Sequence, residues 1–149
     1  MFEEARTAMI KGDYLAAIAG FENVLKNDPN YPNATNLLDV ARGGARNASQ
    51  LAVDAGNKAE LSADYLGALK QYERALLLDE KSTSAPEAIR RLKVRMQREG
   101  EAAFASAKQY DAGDRAREAI AAYERALQLL PADHASVPTA RDRLAALKR

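Results

Sequence analysis

Apolar side chains recur along this chain at the intervals that line up on one face of an α-helix. The pattern is clearest in three segments, near residues 13–28, 64–79 and 115–130. In each segment the apolar positions lie three or four residues apart and charged residues occupy the other face. This is the pattern of an amphipathic helix packed on a core. We therefore predict three amphipathic helices of one design.

The three segments are copies of one another with a period of 51 residues. Each contains an alanine four residues before an aromatic residue, and a glutamate directly after it. The copies are Ala17, Phe21 and Glu22; Ala68, Tyr72 and Glu73; and Ala119, Tyr123 and Glu124. Repetition at a fixed period indicates a repeat architecture. With boundaries near residues 49 and 100, we predict one domain over residues 1–149 with three repeats, approximately 1–49, 50–100 and 101–149.

An aspartate stands just before each amphipathic helix, at Asp13, Asp64 and Asp114. An aspartate side chain accepts hydrogen bonds from the unpaired N–H groups of a first helical turn. We therefore predict that all three cap the helices that follow them.

Two longer helices are predicted between these segments, over residues 34–61 and 85–112. In the first, small or apolar residues alternate three and four apart, as in a heptad seam: Leu38, Ala41, Ala45, Ala48, Ala52, Ala55 and Ala59. The same register in the second gives Ile89, Leu92, Met96, Glu99, Ala103, Ser106 and Tyr110. A seam built mainly of alanine allows helices to approach closely. Breaks are expected, if anywhere, at Gly43-Gly44, Ser49 and Gly100.

These elements predict an all-α fold, an array of three helical repeats organised as an α-solenoid or as stacked three-helix units. The third helix of each repeat runs on into the first helix of the next. A last helix, near residues 137–148, closes the array with apolar residues inward and basic residues outward. Its basic end suits the negative end of the helix dipole.

The composition excludes many kinds of site. The chain has no cysteine and one histidine, so a disulfide, a thiolate zinc site, a cysteine nucleophile and a multi-histidine metal site are impossible within one chain. No glycine-rich phosphate loop and no catalytic motif is present. We therefore expect neither a metal nor a cofactor, and no enzyme activity.

Charge and hydropathy give no sign of a membrane. The chain opens with acidic residues where a signal peptide is basic, and no apolar run reaches the length of a membrane span. The formal net charge is +1, which gives no reason to expect nucleic acid or an anionic membrane as a partner. Nothing in the sequence indicates a cellular compartment.

The amphipathic segments resemble the tetratricopeptide repeat family, whose signature has an alanine, an aromatic residue four positions later and a closing proline. Ala17, Phe21 and Pro29 match this pattern, as do Ala119, Tyr123 and Pro131, whereas the second copy has Glu80 in place of proline. The period of 51 residues exceeds the 34 of the family. The resemblance therefore implies a longer, three-helix variant that is more rod-like than the usual superhelix.

The resemblance also implies a function, because such repeats generally bind a peptide or a partner helix through side chains of their first helices. The corresponding positions in the three copies are Phe2, Arg6 and Met9; Val53, Asn57 and Glu60; and Phe104, Lys108 and Asp111. Apolar members would anchor a partner and polar members would orient it. Against this stands the simpler reading that the apolar members belong to the core.

Two other functions stay open. The alanine seam can pair with a second chain as well as within one, so a self-associating assembly module, a homo-oligomer, is the main alternative. A basic cluster suggests anion or nucleic-acid binding: Arg90, Arg91, Lys93, Arg95 and Arg98. Glu87 and Glu99 can pair with it along the helix, and no aromatic residue interleaves it for base stacking. We therefore expect another protein or a peptide as the partner, and no nucleic acid.

Overall fold

The computed structural model describes residues 1–149 as seven α-helices without a strand. They are α1 (Phe2–Ile10), α2 (Tyr14–Asn27), α3 (Ala34–Leu61), α4 (Tyr65–Leu78), α5 (Ser84–Ala112), α6 (Ala116–Leu129) and α7 (Val137–Leu147). The all-α class is confirmed. The three amphipathic segments form α2, α4 and α6, each within a residue or two of its predicted ends.

The two long helices are unbroken. Helix α3 has 28 residues and α5 has 29, and both continue through the small residues at which a break was expected. Most of these small residues lie where another element approaches. Gly44 faces the ring of Tyr14, Ser49 donates a hydrogen bond of 2.7 Å to the Ala75 carbonyl, and Gly100 faces Leu130. Close approach, rather than helix termination, explains the small side chains there.

The chain forms two compact units, Met1–Ile89 and Arg90–Arg149, and the division falls within α5. In the first unit α2 lies antiparallel to the first half of α3, since the Tyr14 ring meets Gly44 and Phe21 packs with Leu38. Helix α1 packs against α2. The core of this helix group contains Ala5, Ala17, Phe21, Leu38 and Ala41.

Helix α4 lies antiparallel to the second half of α3. The Tyr72 hydroxyl reaches Asn57 and Glu60, and Ala75, one turn later, accepts the hydrogen bond from Ser49. Helices α2 and α4 therefore follow one another along α3, so that the end of α4 and the start of α2 meet beside the middle of α3.

In the second unit α6 lies antiparallel to α5. Tyr123 packs beside Phe104 and hydrogen-bonds Asp111, while Leu130 lies against Gly100. Helix α7 packs on α6 and completes a three-helix group. Its core contains Ala107, Ala119, Tyr123 and Ala140, with Ala126, Leu130 and Val137 in an adjoining cluster.

The buried stripe of α3 differs from the predicted heptad seam. Its first half is as expected, and Ala52 is buried as predicted, but at three positions of the second half burial moves one residue along the chain. The stripe consists of Leu38, Ala41, Ala45, Ser49, Ala52, Gly56 and Glu60, with Val53 buried beside it. These positions repeat every 11 residues, or 3.67 per turn, which is close to the 3.6 of a straight helix. The heptad prediction was wrong because it assumed a supercoil with 3.5 residues per turn.

The same shift applies to α5. Gly100 is buried where Glu99 was predicted, and Ala107 is buried where Ser106 was predicted. The apparent interruption of the seam by a charge therefore disappears, because Glu99 is exposed.

Two of the three predicted caps are confirmed. Asp13 accepts a hydrogen bond from the Ala16 amide at 3.2 Å, and Asp64 accepts one from Gly67 at 3.0 Å. The prediction for Asp114 was wrong, because the N-cap of α6 is Arg115. In the repeat register Asp114 matches Gly12 and Ala63, and all three have a left-handed backbone, with φ of 55°, 78° and 58° respectively.

None of the helices combines the length and the apolar character that a membrane span requires. The expectation that this segment does not insert into a membrane is consistent with that finding.

Replacing either of two glycines of α3 by alanine tests the close approach. A Cβ at Gly56 would overlap the ring of Tyr72, which is fully buried and hydrogen-bonded, whereas a Cβ at Gly43 would meet no atom within 4 Å. We expect Gly56→Ala to lower the free energy of unfolding by about 1–2 kcal/mol through overpacking. Gly43→Ala should raise it by about 1 kcal/mol through helix propensity. Urea denaturation of both variants measures the free energy of unfolding. Equal changes of that free energy in the two variants would contradict the packing of Tyr72 on Gly56.

Candidate functional site

The third-copy residues predicted to bind a partner lie together in the second unit. Phe104, Lys108 and Asp111 follow one another along α5, and Lys108 and Asp111 line a surface recess of about 340 Å³. The recess is completed by Ala112, Tyr123, Thr139 and Arg143. Helices α5, α6 and α7 all contribute to it, so its geometry depends on the packing of the three-helix group.

A polar network fixes one wall of the recess. The Arg143 guanidinium donates two hydrogen bonds of 2.7 Å to the two carboxylate oxygens of Asp111, a bidentate pair. The Tyr123 hydroxyl donates to the same carboxylate at 3.2 Å. The Asp111 side chain is only 13% exposed, whereas that of Arg143 is half exposed. Asp111 is therefore occupied within the protein, while Arg143 keeps one side open to solvent.

The network shifts the ionisation of its members. The hydrogen bonds from Arg143 lower the pKa of Asp111, and those bonds also raise the pKa of Arg143. Burial raises the pKa of Tyr123, and its hydrogen bond to Asp111 adds to the effect. At neutral pH the network thus holds an ionised carboxylate, a guanidinium and a neutral phenol.

Lys108 supplies a cation that no acidic side chain neutralises. It is exposed, and its ammonium lies 5.2 Å from the centre of the Phe104 ring, within the range of a cation–π contact. Phe104 is half-buried and packs edge-on against Tyr123 at 6.0 Å. The aromatic ring thus restrains the direction of the lysine. Together with the Thr139 hydroxyl and the open side of Arg143, the recess can hold an anionic or hydrogen-bonding side chain.

The second-copy residues are placed differently. Val53 lies in the core with only 6% of its surface exposed, so it offers almost no area to a partner and is better explained by packing. Glu60 is buried and accepts a hydrogen bond of 2.9 Å from Tyr72. Asn57 is exposed, and its side-chain oxygen lies 2.7 Å from the same hydroxyl, so Asn57 and Glu60 share the single hydroxyl hydrogen. In this copy the two predicted polar residues, Asn57 and Glu60, therefore hold Tyr72 in place.

The first-copy residues mostly complete a core. Phe2 packs edge-on against Phe21 at 5.7 Å and lies 4.8 Å from the ring of Tyr31. Met9 packs against the same cluster. Arg6 is exposed and its guanidinium lies 3.4 Å from Glu3. Only Arg6 of these three projects into solvent, so the nine predicted residues do not form one continuous surface.

Comparison of the copies explains these placements. Met9, Glu60 and Asp111 occupy one position of the repeat, and Phe21, Tyr72 and Tyr123 occupy the position twelve residues later. Where the aromatic residue has a hydroxyl, the earlier position is acidic and accepts its hydrogen bond. Where it is phenylalanine, the earlier position is methionine.

The pairing of a tyrosine with an acidic residue twelve positions earlier would have indicated Tyr123 as a candidate site residue from the sequence. The remaining residues of the recess, Thr139 and Arg143, carry no such signal. Arg143 lies 32 residues from its partner Asp111, and no local pattern predicts a contact over that separation.

His134, the one histidine of the chain, lies in the connection between α6 and α7, and its side chain is only 19% exposed. Its Nδ1 accepts a hydrogen bond from the Ser136 amide, so in the neutral ring Nε2 carries the proton and donates to Glu101 at 3.1 Å. Hydrogen bonds from Gln97 and then His134 lower the pKa of Glu101. The histidine therefore ties the α6–α7 connection to α5.

The basic cluster of residues 90–98 is exposed along α5. Two of its members, Arg91 and Arg95, are already engaged in interactions. No group of three or more histidine or acidic side chains is arranged to hold a metal ion.

No protein-family model matches this chain, and no curated protein sequence shows significant similarity to it.

The pH dependence of stability tests the Asp111–Arg143 pair. Because the pKa of Asp111 is lowered in the folded state, its ionised form contributes stability above its unfolded pKa of about 3.9. That contribution is lost as pH falls through the folded pKa. We expect Asp111→Asn to melt at a lower temperature than the parent chain at pH 7, with the difference narrowing below about pH 4. Thermal melts across this range measure it, and a difference independent of pH would refute the assignment.

Proposed function

We propose that this protein is a non-catalytic protein-interaction module of the tetratricopeptide-like type, and that it binds a peptide or partner helix. The principal contact is the recess around Lys108. The observation that carries the proposal is the contrast within that recess. Asp111 and Arg143 neutralise each other, whereas the Lys108 ammonium has no acidic partner and is held by an aromatic ring.

The chemistry of this recess favours a carboxylate-bearing partner. An ammonium, a hydroxyl and the outer side of a guanidinium are donors, and the one carboxylate of the wall is already bound. A donor-rich recess of about 340 Å³ has room for a side chain or two of a peptide. The rigid network beneath it limits the reorganisation needed on binding, which preserves affinity.

The proposal assigns different roles to the predicted binding residues. Lys108 contacts the partner, and Phe104 and Asp111 position the contact surface. Arg6 and Asn57 are accessible but lie outside the recess. Val53, Glu60, Phe2 and Met9 contribute to packing and internal hydrogen bonds.

Charge reversal at Lys108 tests this function. We expect the tagged chain to capture a set of proteins from a lysate, and the Lys108→Glu variant to lose that set while remaining folded, because the reversed charge repels the carboxylate. Lys93→Glu is the matched control, since it makes the same charge change at an exposed site on the same helix. Quantitative mass spectrometry of the captured proteins provides the comparison.

If the parent chain, the Lys108→Glu variant and the Lys93→Glu variant capture the same proteins equally, the proposed role of Lys108 is contradicted. Equal loss in both variants would show that net charge, rather than the recess, governs the interaction.

Self-association is a second candidate, favoured by the distribution of charge. Residues 1–89 carry 13 acidic and 9 basic side chains, whereas residues 90–149 carry 8 acidic and 13 basic side chains. Opposite charge on two units of one chain favours head-to-tail contacts between copies. In the same capture experiment, retention of added untagged chain by the tagged chain would support this alternative.

A further inference from the structure

A second surface feature lies in the first unit, where the end of α4 meets the start of α2 beside α3. A groove of about 340 Å³ separates the two helix ends. It is lined by Lys11, Gly12, Asp13, Tyr14, Leu15, Arg74, Leu77 and Leu78. The groove is distinct from the Lys108 recess, and the inference drawn from it does not depend on that recess.

The groove exposes two leucine side chains, and the fold does not require one of them, Leu77. Leu77 is 69% exposed and Leu15 is 45% exposed. At the position of Leu77 the other two copies of the repeat have Lys26 and Gln128. Since a polar residue serves there in both other copies, packing within the helix group does not explain a leucine. An exposed apolar pair beside a groove is a feature of interaction sites.

The lining of the groove also carries more positive than negative charge. Lys11 and Arg74 are exposed and make no ion pair. The lining has one acidic residue, Asp13, which caps α2 and keeps its negative charge. The lining is therefore apolar, with two cations against one carboxylate.

Packing on α3 holds one side of the groove. The ring of Tyr14, which lines the groove, lies directly over Gly44, where a Cβ would overlap it. This contact fixes the start of α2 against the middle of α3.

We infer that this groove docks a short acidic segment of a partner protein. One apolar side chain of the segment lies between Leu15 and Leu77, and its flanking carboxylates pair with Lys11 and Arg74. Charge complementarity selects this occupant, because a basic or neutral apolar segment would leave both cations unpaired.

Nuclear magnetic resonance titration of the intact chain with the blocked peptide acetyl-Glu-Leu-Asp-Leu-amide tests the inference. We expect saturable shifts of the Gly12, Leu15 and Leu77 amides. Lys11→Ser and Leu77→Gln introduce residues that other copies have at these positions, so the fold tolerates them. Each substitution should weaken binding of the acidic peptide by about tenfold, which corresponds to the free energy contributed by one partly buried leucine or one desolvated charge pair.

Three controls make the outcome decisive. Leu51→Gln removes a leucine with the same exposure as Leu77 but outside the groove, and should leave binding unchanged. Lys108→Glu should also leave these shifts unchanged, which separates this inference from the function proposed above. The peptide acetyl-Lys-Leu-Lys-Leu-amide should not bind.

Three results would overturn the inference. They are equal binding of both peptides, no saturable shift with the acidic peptide, and shifts of the same amides with protein concentration alone. The last result would assign the groove to a second copy of the chain.

Discussion

Close approach of helices along α3 is the constraint on which the first unit depends. Antiparallel helices can lie against both halves of a 28-residue helix only if its buried stripe is narrow. Alanine, glycine and serine supply most of that stripe, and the large rings come from the opposing helices as Phe21 and Tyr72. Each aromatic ring is thus buried over small residues. The packing is specific because a ring held in this way has little room to move.

The candidate sites follow from the same arrangement. Where the opposing aromatic residue is a tyrosine, its hydroxyl needs an acceptor when buried, and Glu60 or Asp111 provides one. In the second unit Arg143 then pairs with Asp111 and leaves Lys108 as the unpaired cation of the recess. The groove of the first unit lies where the end of α4 and the start of α2 meet beside the middle of α3. The recess is thus a product of side-chain chemistry, and the groove is a product of helix length.

Much of the fold was predictable because it is encoded locally. The repeat period and the apolar spacing predicted helices α2 to α7, and the bounds of α3 were obtained to the residue. The exact stripe was not predictable in the same way. The buried positions of a heptad pattern and of an 11-residue pattern first differ, by one residue, after two or three helical turns. Three alanines, Ala41, Ala45 and Ala52, belong to both patterns and so do not distinguish them. Ser49 and Glu60, as polar residues, were not expected inside.

The sites were less predictable than the fold. Lys108 and Asp111 were predicted from their repeat positions, but Arg143 lines the recess through a contact between distant parts of the chain. Asp114 was misassigned because the aspartate of α6 is shifted by one residue from its equivalents. The meeting of α2 and α4 depends on three-dimensional packing along α3, which no local spacing reports.

The continuity of α3 is the most direct test of this account. The chain has no cysteine, so spin labels can be attached at cysteines introduced for Val40 and Lys58, both exposed on α3. These positions are 18 residues apart, five full turns, and lie on one face of a straight helix. The account predicts a single, narrow distance distribution near 27 Å by double electron–electron resonance. A broad distribution, or a clearly shorter distance, would show that the helix breaks between Gly43 and Ser49 and would contradict the account.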